Sequence, residues 1–286
     1  MSLAESLLLG LIQGVFMFVP VSSTSHLVLT QHWLLANGSS MPPPESPEMV
    51  LFDLVVHVGT LVSIVAVMHG GLRELLGGAL SELRTGRLRA DGLGGTVWVR
   101  LLGLMLLATA VTGVLGLLLR DRLTGTVFAS PSAVAIALLV TAAMLWVTDH
   151  LRAERRGPAQ VTVPIAVAIG IAQAVALTPG ISRSGITIFV ALLLGLQRPL
   201  AARFSFYVAI PTILAGSLLQ GTEVLGTGQL TIGLGPLAAA FVVAAVVGAG
   251  ALWMVLRMLE QARFRIFAVY VAVLAAVVLL VGVPVA

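Results

Sequence analysis

The chain has 286 residues, 58% of them apolar and 10% charged, with a formal net charge of +4. Soluble domains carry ~25% charged residues, so this balance excludes a large water-exposed domain and marks an integral membrane protein. All sixteen basic residues are arginine and cysteine is absent, which leaves no disulfide or thiolate metal site; most arginines fall in loops between apolar runs, so the charge does not point to nucleic acid.

In chain order, the N-terminus lacks the basic region and small-residue cleavage site of a signal peptide and is expected to be mature. Residues 3–19 and 22–35 read as half-helices, each too short for a bilayer, which needs ~20 apolar residues in a row. Pro20 ends the first by removing a donor and crowding the turn before it. The loop 36–48 carries Asn37-Gly38-Ser39-Ser40 and three consecutive prolines, which break any helix. Residues 50–68 are expected to span, although Asp53, His57 and Gly59 interrupt the run. Within 70–95, Leu72, Leu75, Leu76, Ala79, Leu80 and Leu83 recur at helical spacing with Glu74 and Glu82 between them. That pattern predicts an amphipathic helix lying on the membrane surface. Spans follow at 97–119 and 132–147. Residues 162–177 and 182–196 form a second pair of half-helices, and spans at 204–219, 234–258 and 266–283 complete the set. Ala244-xxx-Gly248 has the small-residue spacing that lets membrane helices approach closely.

The expected fold class is an all-α polytopic membrane protein with six transmembrane helices and two re-entrant helix hairpins, 3–35 and 162–196. If each hairpin returns to its own side, thirteen of the sixteen arginines share one side, Arg120 and Arg122 lie opposite, and Arg183 sits inside a hairpin. The arginine-rich side is then cytoplasmic and both termini face outward. The result is a single membrane domain of two inverted repeats, about 1–148 and 160–286, an arrangement that places a binding site near the bilayer midplane.

The hairpins echo each other. Residues 13–26 read Gln-Gly-Val-Phe-Met-Phe-Val-Pro-Val-Ser-Ser-Thr-Ser-His, and residues 173–187 read Gln-Ala-Val-Ala-Leu-Thr-Pro-Gly-Ile-Ser-Arg-Ser-Gly-Ile-Thr. Each runs from apolar helix through proline to a burst of hydroxyls with one basic residue. A serine past the break suits the cap of the next helix, whose first N–H groups can hold an anion. Ionisable groups inside a membrane are costly and usually functional; here they are His26, Asp53, His57 and Arg183. Arg183, beside Ser182, Ser184 and Thr187, can grip a phosphate bidentately; the alternative is a structural arginine holding hairpin carbonyls. His26, one turn beyond Ser22 and Ser23, can move a hydroxyl proton or simply bond a neighbouring carbonyl. Asp53 and His57 stand at i, i+4 and can satisfy each other. Gln13 and Gln173 sit symmetrically and can stitch the hairpins together.

These residues resemble the undecaprenyl-pyrophosphate phosphatase family, also called bacitracin-resistance proteins. That family's Glu/Gln-xxx-Glu motif and Pro-Val-Ser-Ser-Thr-Gly-His segment correspond to Gln13-xxx-Met17 and to Pro20-Val21-Ser22-Ser23-Thr24-Ser25-His26. Its Pro-Gly-x-Ser-Arg-Ser-Gly-x-Thr motif is intact from Pro179 to Thr187, and Phe204-Ser205-Phe206 with Pro211 also matches. The resemblance covers essentially the whole chain. It implies removal of the terminal phosphate from a C55 polyprenyl diphosphate at the outer face of the bacterial inner membrane, which recycles the cell-wall lipid carrier. The expected partners are that lipid and the membrane, with no nucleic acid, and a homodimer is one open assembly. Ser23 matches the nucleophile and His26 its acid/base partner, with Arg183 as the third catalytic position. Gln13, Ser22, Thr24, Ser182, Ser184 and Thr187 match the diphosphate-binding set. A divalent cation, Mg²⁺ or Ca²⁺, is implied, with Gln13 or Asp53 as candidate ligands.

Two positions depart from that pattern. Met17 stands where the family has its second glutamate, and Ser25 replaces glycine. A thioether neither binds a hard cation nor moves a proton, so Gln13 and Met17 leave the motif without a carboxylate. This opens a second reading, a non-hydrolytic polyprenyl-phosphate binding protein or flippase on the same fold. An ion-coupled solute transporter ranks last, because hydroxyls around one arginine suit a phosphate headgroup better than a sodium ion.

Overall fold

The computed structural model describes residues 1–44, 46–85, 96–127, 131–151, 156–225 and 232–281. Ten α-helices run through them: α1 (Leu3–Phe18), α2 (Ser23–Ala36), α3 (Pro47–Arg84), α4 (Trp98–Val127), α5 (Pro131–His150), α6 (Val163–Val175), α7 (Arg183–Leu193), α8 (Arg198–Leu225), α9 (Leu234–Glu260) and α10 (Arg265–Val281). Among the described residues there is no strand beyond one isolated bridge, Arg156 to Leu196. Five helices, α3, α4, α5, α8 and α9, are long and apolar enough to cross a membrane; α1, α6, α7 and α10 are shorter apolar helices.

Each break falls where the sequence places a breaker. Ser2 and Glu5 form a capping box that starts α1, Ser2 N–H donating to Glu5 at 2.6 Å and Glu5 N–H to the Ser2 hydroxyl at 3.3 Å. Ser46 caps α3 ahead of Pro47 at the first helical position, where a missing N–H costs nothing. The ends of each hairpin lie together. Ser39, just past α2, donates its hydroxyl to Glu5 at the start of α1 (2.5 Å). Arg156, ahead of α6, bonds Gly195 and Gln197, which follow α7, at 3.2 Å each.

The expected helix over 70–95 is present. Its described part continues α3 to Arg84 through a bend at Met68 (φ −105°, ψ 16°); residues 86–95 lie outside the described set. Glu82 is not on a solvated face. It is buried, and its carboxylate accepts the N–H groups of Val97, Trp98 and Val99 at 2.9–3.0 Å. Those groups head α4 and have no partner inside their own helix, so a carboxylate on α3 caps α4.

Packing follows small residues. α1 lies along α9, and α6, its counterpart in the second half, lies along α4. A Cβ added at Gly10 would fall 2.7 Å from the Ala240 carbonyl oxygen, and one at Gly170 would fall 2.6 Å from that of Ala108. Gly10 and Gly170 each precede a hairpin glutamine by three residues, so glycines at matching positions seat the first helix of each hairpin. Where the surroundings are as apolar as the side chains, such close contact rather than water exclusion holds helices together. The Ala244 and Gly248 face of α9 is buried as expected, and the Ser63 hydroxyl of α3 donates to the Ala245 carbonyl there (2.7 Å).

Candidate active site

The first hairpin turns at Val19-Pro20-Val21, and α2 begins after Ser22, whose φ of 69° is left-handed, a costly conformation for a residue with a side chain. The second turns at Pro179-Gly180, with Gly180 at φ 96°, and α7 begins after Ser182. Ser182 caps that helix by accepting the Gly185 N–H (3.2 Å). Ser22 makes no such cap; its hydroxyl meets that of Ser25 (3.0 Å). Thr141 of α5 clamps the second turn, donating to the Gly180 carbonyl (2.7 Å) and accepting the Ser182 N–H (3.1 Å).

The two helix starts share one cavity of about 800 Å³. Its wall includes Ser22, Ser23 and Thr24 from α2, Ser182, Arg183 and Ser184 from α7, Asp53 and His57 from α3, and Gln31, Met17 and Gln173. The first N–H groups of a helix lack intrahelical acceptors and carry partial positive charge. Two such ends and a guanidinium therefore make a centre for an anion. No carboxylate pairs with Arg183 among the described residues: one Nη approaches the Met17 sulfur (3.6 Å) and the other is buried with no partner.

Met17 occupies the hinge of this arrangement. It is buried, and Gln13 Nε2 also points at its sulfur (3.4 Å). Two strong donors thus converge on a weak acceptor. Gln13 itself is fully buried, its oxygen without a partner, and it stands behind the cavity wall. Gln173, its counterpart, is on the wall and donates to Thr112 (3.1 Å) and Thr212 (2.9 Å), which ties α6 to α4 and α8.

Other expected site residues are placed differently. His26 donates from Nδ1 to the Ser22 carbonyl (2.8 Å) and accepts the Tyr270 hydroxyl at Nε2 (2.9 Å). Its ring stacks on Phe16 at 4.0 Å. Both ring nitrogens are engaged, and the ring lies off the cavity wall. Thr187 is fully buried, donates to the Arg183 carbonyl (2.8 Å) and meets the Ser205 hydroxyl at 2.5 Å. It supports α7 against α8 and does not face the cavity. Asp53 and His57 do not pair through their side chains. His57 Nδ1 donates to the Asp53 backbone carbonyl (2.7 Å), and the Asp53 carboxylate accepts from Gln31 Nε2 (3.3 Å).

Sequence reading overlooked Gln31, Thr141 and Tyr270. Gln31, a buried amide on an apolar half-helix, carried a usable signal. Tyr270 had none, lying 244 residues from the histidine it holds.

The divalent cation implied by the resemblance does not fit these donors. Hard cations take oxygen ligands, yet Asp53 is the one carboxylate on the described wall. No three histidine, aspartate or glutamate side chains cluster among the described residues. The Gln13 oxygen lies behind the wall, and a sulfur fills position 17.

A family model described as bacitracin resistance protein BacA matches residues 6–277. A protein of Alkalilimnicola ehrlichii named undecaprenyl-diphosphatase is 49% identical over 281 residues, 96% of this chain and 95% of its own. One of the same name from Halorhodospira halophila is 47% identical over 285 residues, 98% of each chain. A third, from Gemmatimonas aurantiaca, is 35% identical over 278 residues, 97% of each. The matches run through both hairpins and the helices that bury them, and the chain belongs to the bacitracin resistance protein BacA family.

Proposed function

We propose that this chain is an undecaprenyl-diphosphatase, hydrolysing the C55 lipid diphosphate to its monophosphate. The observation that carries this reading is the meeting of Ser22–Ser23–Thr24, Ser182–Arg183–Ser184 and two helix N-termini on one cavity wall. Arg183 and the N–H groups of both helix starts bind the terminal phosphate and hold charge as it develops. Ser23, in the first turn of α2, attacks phosphorus, and the lipid monophosphate leaves. No step in this reading runs through a cation.

The membrane arrangement we infer is six spans, with the 17-residue α10 as the sixth, and two re-entrant hairpins. The repeats are about 1–148 and 160–286, the termini face outward, and the cavity opens to the outer face of the inner membrane. The Ser39–Glu5 and Arg156–Gly195 contacts support hairpins that return to the side they left. The exchange of partners, α1 on α9 and α6 on α4, supports inverted repeats.

Met17 favours a second reading, a protein that binds the lipid phosphate without cleaving it. Release of inorganic phosphate from C55 diphosphate by the detergent-solubilised protein, with and without Mg²⁺, separates the two. Turnover upholds the phosphatase; saturable binding with no phosphate released in either condition upholds the carrier.

A further inference from the structure

We propose that His57 is the general base of this site, accepting the proton of the water that hydrolyses a phosphorylated Ser23; this rests on the diphosphatase reading above. His26 is disqualified by position and Met17 by chemistry, while Asp53, on the same wall, already accepts from Gln31 at one oxygen. His26 has both nitrogens occupied and lies off the cavity wall. Met17 offers a thioether. His57 remains, on the wall, with a defined tautomer. Its Nδ1 must donate to the Asp53 carbonyl, since a carbonyl has no proton to give. In the neutral ring this leaves the Nε2 lone pair bare, and no protein group accepts or donates there among the hydrogen bonds of the described residues.

Register supports the distance. Val50, Asp53, Leu54 and His57 form one stripe of α3 facing the cavity, and Ser23, Thr24, Val28, Gln31 and His32 form the facing stripe of α2. The stripes are tied at Gln31 and Asp53. In the re-entrant arrangement inferred above, α2 and α3 run in opposite directions, so His57 lies four residues beyond that tie, ~6 Å deeper, and Ser23 eight residues beyond it, ~12 Å deeper. The imidazole is thus about one helical turn, ~5–6 Å, short of the level of Ser23, a gap that an in-line phosphoryl group and one water fill. His57 and Arg183 line the same cavity. The other titratable or charged wall groups are Asp53 on α3, His32 on α2 and Arg183 on α7; the wall residues from α4, α6 and α8 carry none.

The balance is as follows. Ser23 Oγ bonds to the terminal phosphorus, the bridging P–O bond breaks, and the serine proton leaves on the lipid monophosphate. Water then attacks phosphorus opposite Ser23 Oγ and gives a proton to His57 Nε2. The Ser23 O–P bond breaks, the imidazolium gives its proton to an oxygen of the phosphate, which passes a proton to Ser23 Oγ as inorganic phosphate departs.

The test compares the unaltered protein with His57→Gln and His57→Asn, both full-length in detergent, using C55 diphosphate labelled in its terminal phosphate. Binding of a methylene-bridged diphosphonate lipid identifies folded variants, and one folded variant suffices. The expected result is a fall in kcat of ~10²-fold with little change in KM. Acid quenching should trap label on Ser23, and the rise of kcat with pH near neutrality should disappear. A folded variant with unaltered kcat and pH profile removes His57 while leaving the diphosphatase reading intact. No phosphate release from the unaltered protein overturns that reading, and His57 falls with it.

Discussion

At the scale of single residues, Met17 concentrates what is unusual here. Gln13 Nε2 and an Arg183 Nη both approach its sulfur, at 3.4 and 3.6 Å, an arrangement that would suit a carboxylate. Met17→Glu should pair Arg183, hold its guanidinium square to the phosphate, and add a second carboxylate beside Asp53. We expect kcat to rise by ~10–10²-fold and the Mg²⁺ dependence of phosphate release to steepen, with lipid binding changed far less. An unchanged rate across a Mg²⁺ titration removes position 17 from the chemistry. Arg183 itself has a sharper test. Arg183→Lys keeps the charge and loses the planar fork, and we expect kcat/KM to fall by ~10²-fold, with lipid binding as the companion measurement. Arg183 and Ser23 were legible in sequence because a charge and hydroxyls after a proline break stand out in an apolar chain. The Ser22 carbonyl that His26 bonds was among the sequence alternatives, but the Tyr270 hydroxyl on its other nitrogen was not, because it comes from the last helix.

At the scale of elements, the helix starts and stops were readable because Pro20, Pro47, Pro179 and Gly180 punctuate apolar runs. The placement of Glu82 shows the limit. Leucines at helical spacing with glutamates between them describe an amphipathic face, but spacing cannot reveal that Glu82 finds the unsatisfied N–H groups of α4. A carboxylate accepting from three backbone donors lowers the cost of a buried helix start. Glu82→Ala should therefore destabilise the fold by about 2 kcal/mol, read as a lower melting temperature in detergent. Turnover at low temperature should be unchanged, since α4 begins far along the chain from Thr109 and Gly113, where it meets the cavity. Loss of activity without loss of stability would assign Glu82 a role in the site.

At the scale of the whole molecule, a polar centre inside a bilayer requires irregular backbone to be buried by protein, and the hairpins meet that requirement in pairs. The first helix of each hairpin is seated by a glycine, Gly10 against Ala240 and Gly170 against Ala108, and on the repeat arrangement proposed above neither repeat completes its site alone. The proposed topology can be tested at the hairpin ends. Ser39 bonds Glu5, so residues 2 and 37 should share one side of the membrane. Arg156 and the exposed Arg263 should share the other, since thirteen arginines favour the cytoplasm. The chain has no cysteine, which makes single-cysteine labelling direct. Ser2→Cys and Asn37→Cys should react with a membrane-impermeant maleimide in intact spheroplasts. Arg156→Cys and Arg263→Cys should react only after permeabilisation. If hairpin 3–35 instead crossed the bilayer, Ser2→Cys and Asn37→Cys would label from opposite sides. Crossing would carry Ser23 away from the level of Ser182 and Arg183, and the shared anion site would be lost. The labelling pattern therefore tests the convergence of the two serine-rich helix starts without requiring any substrate.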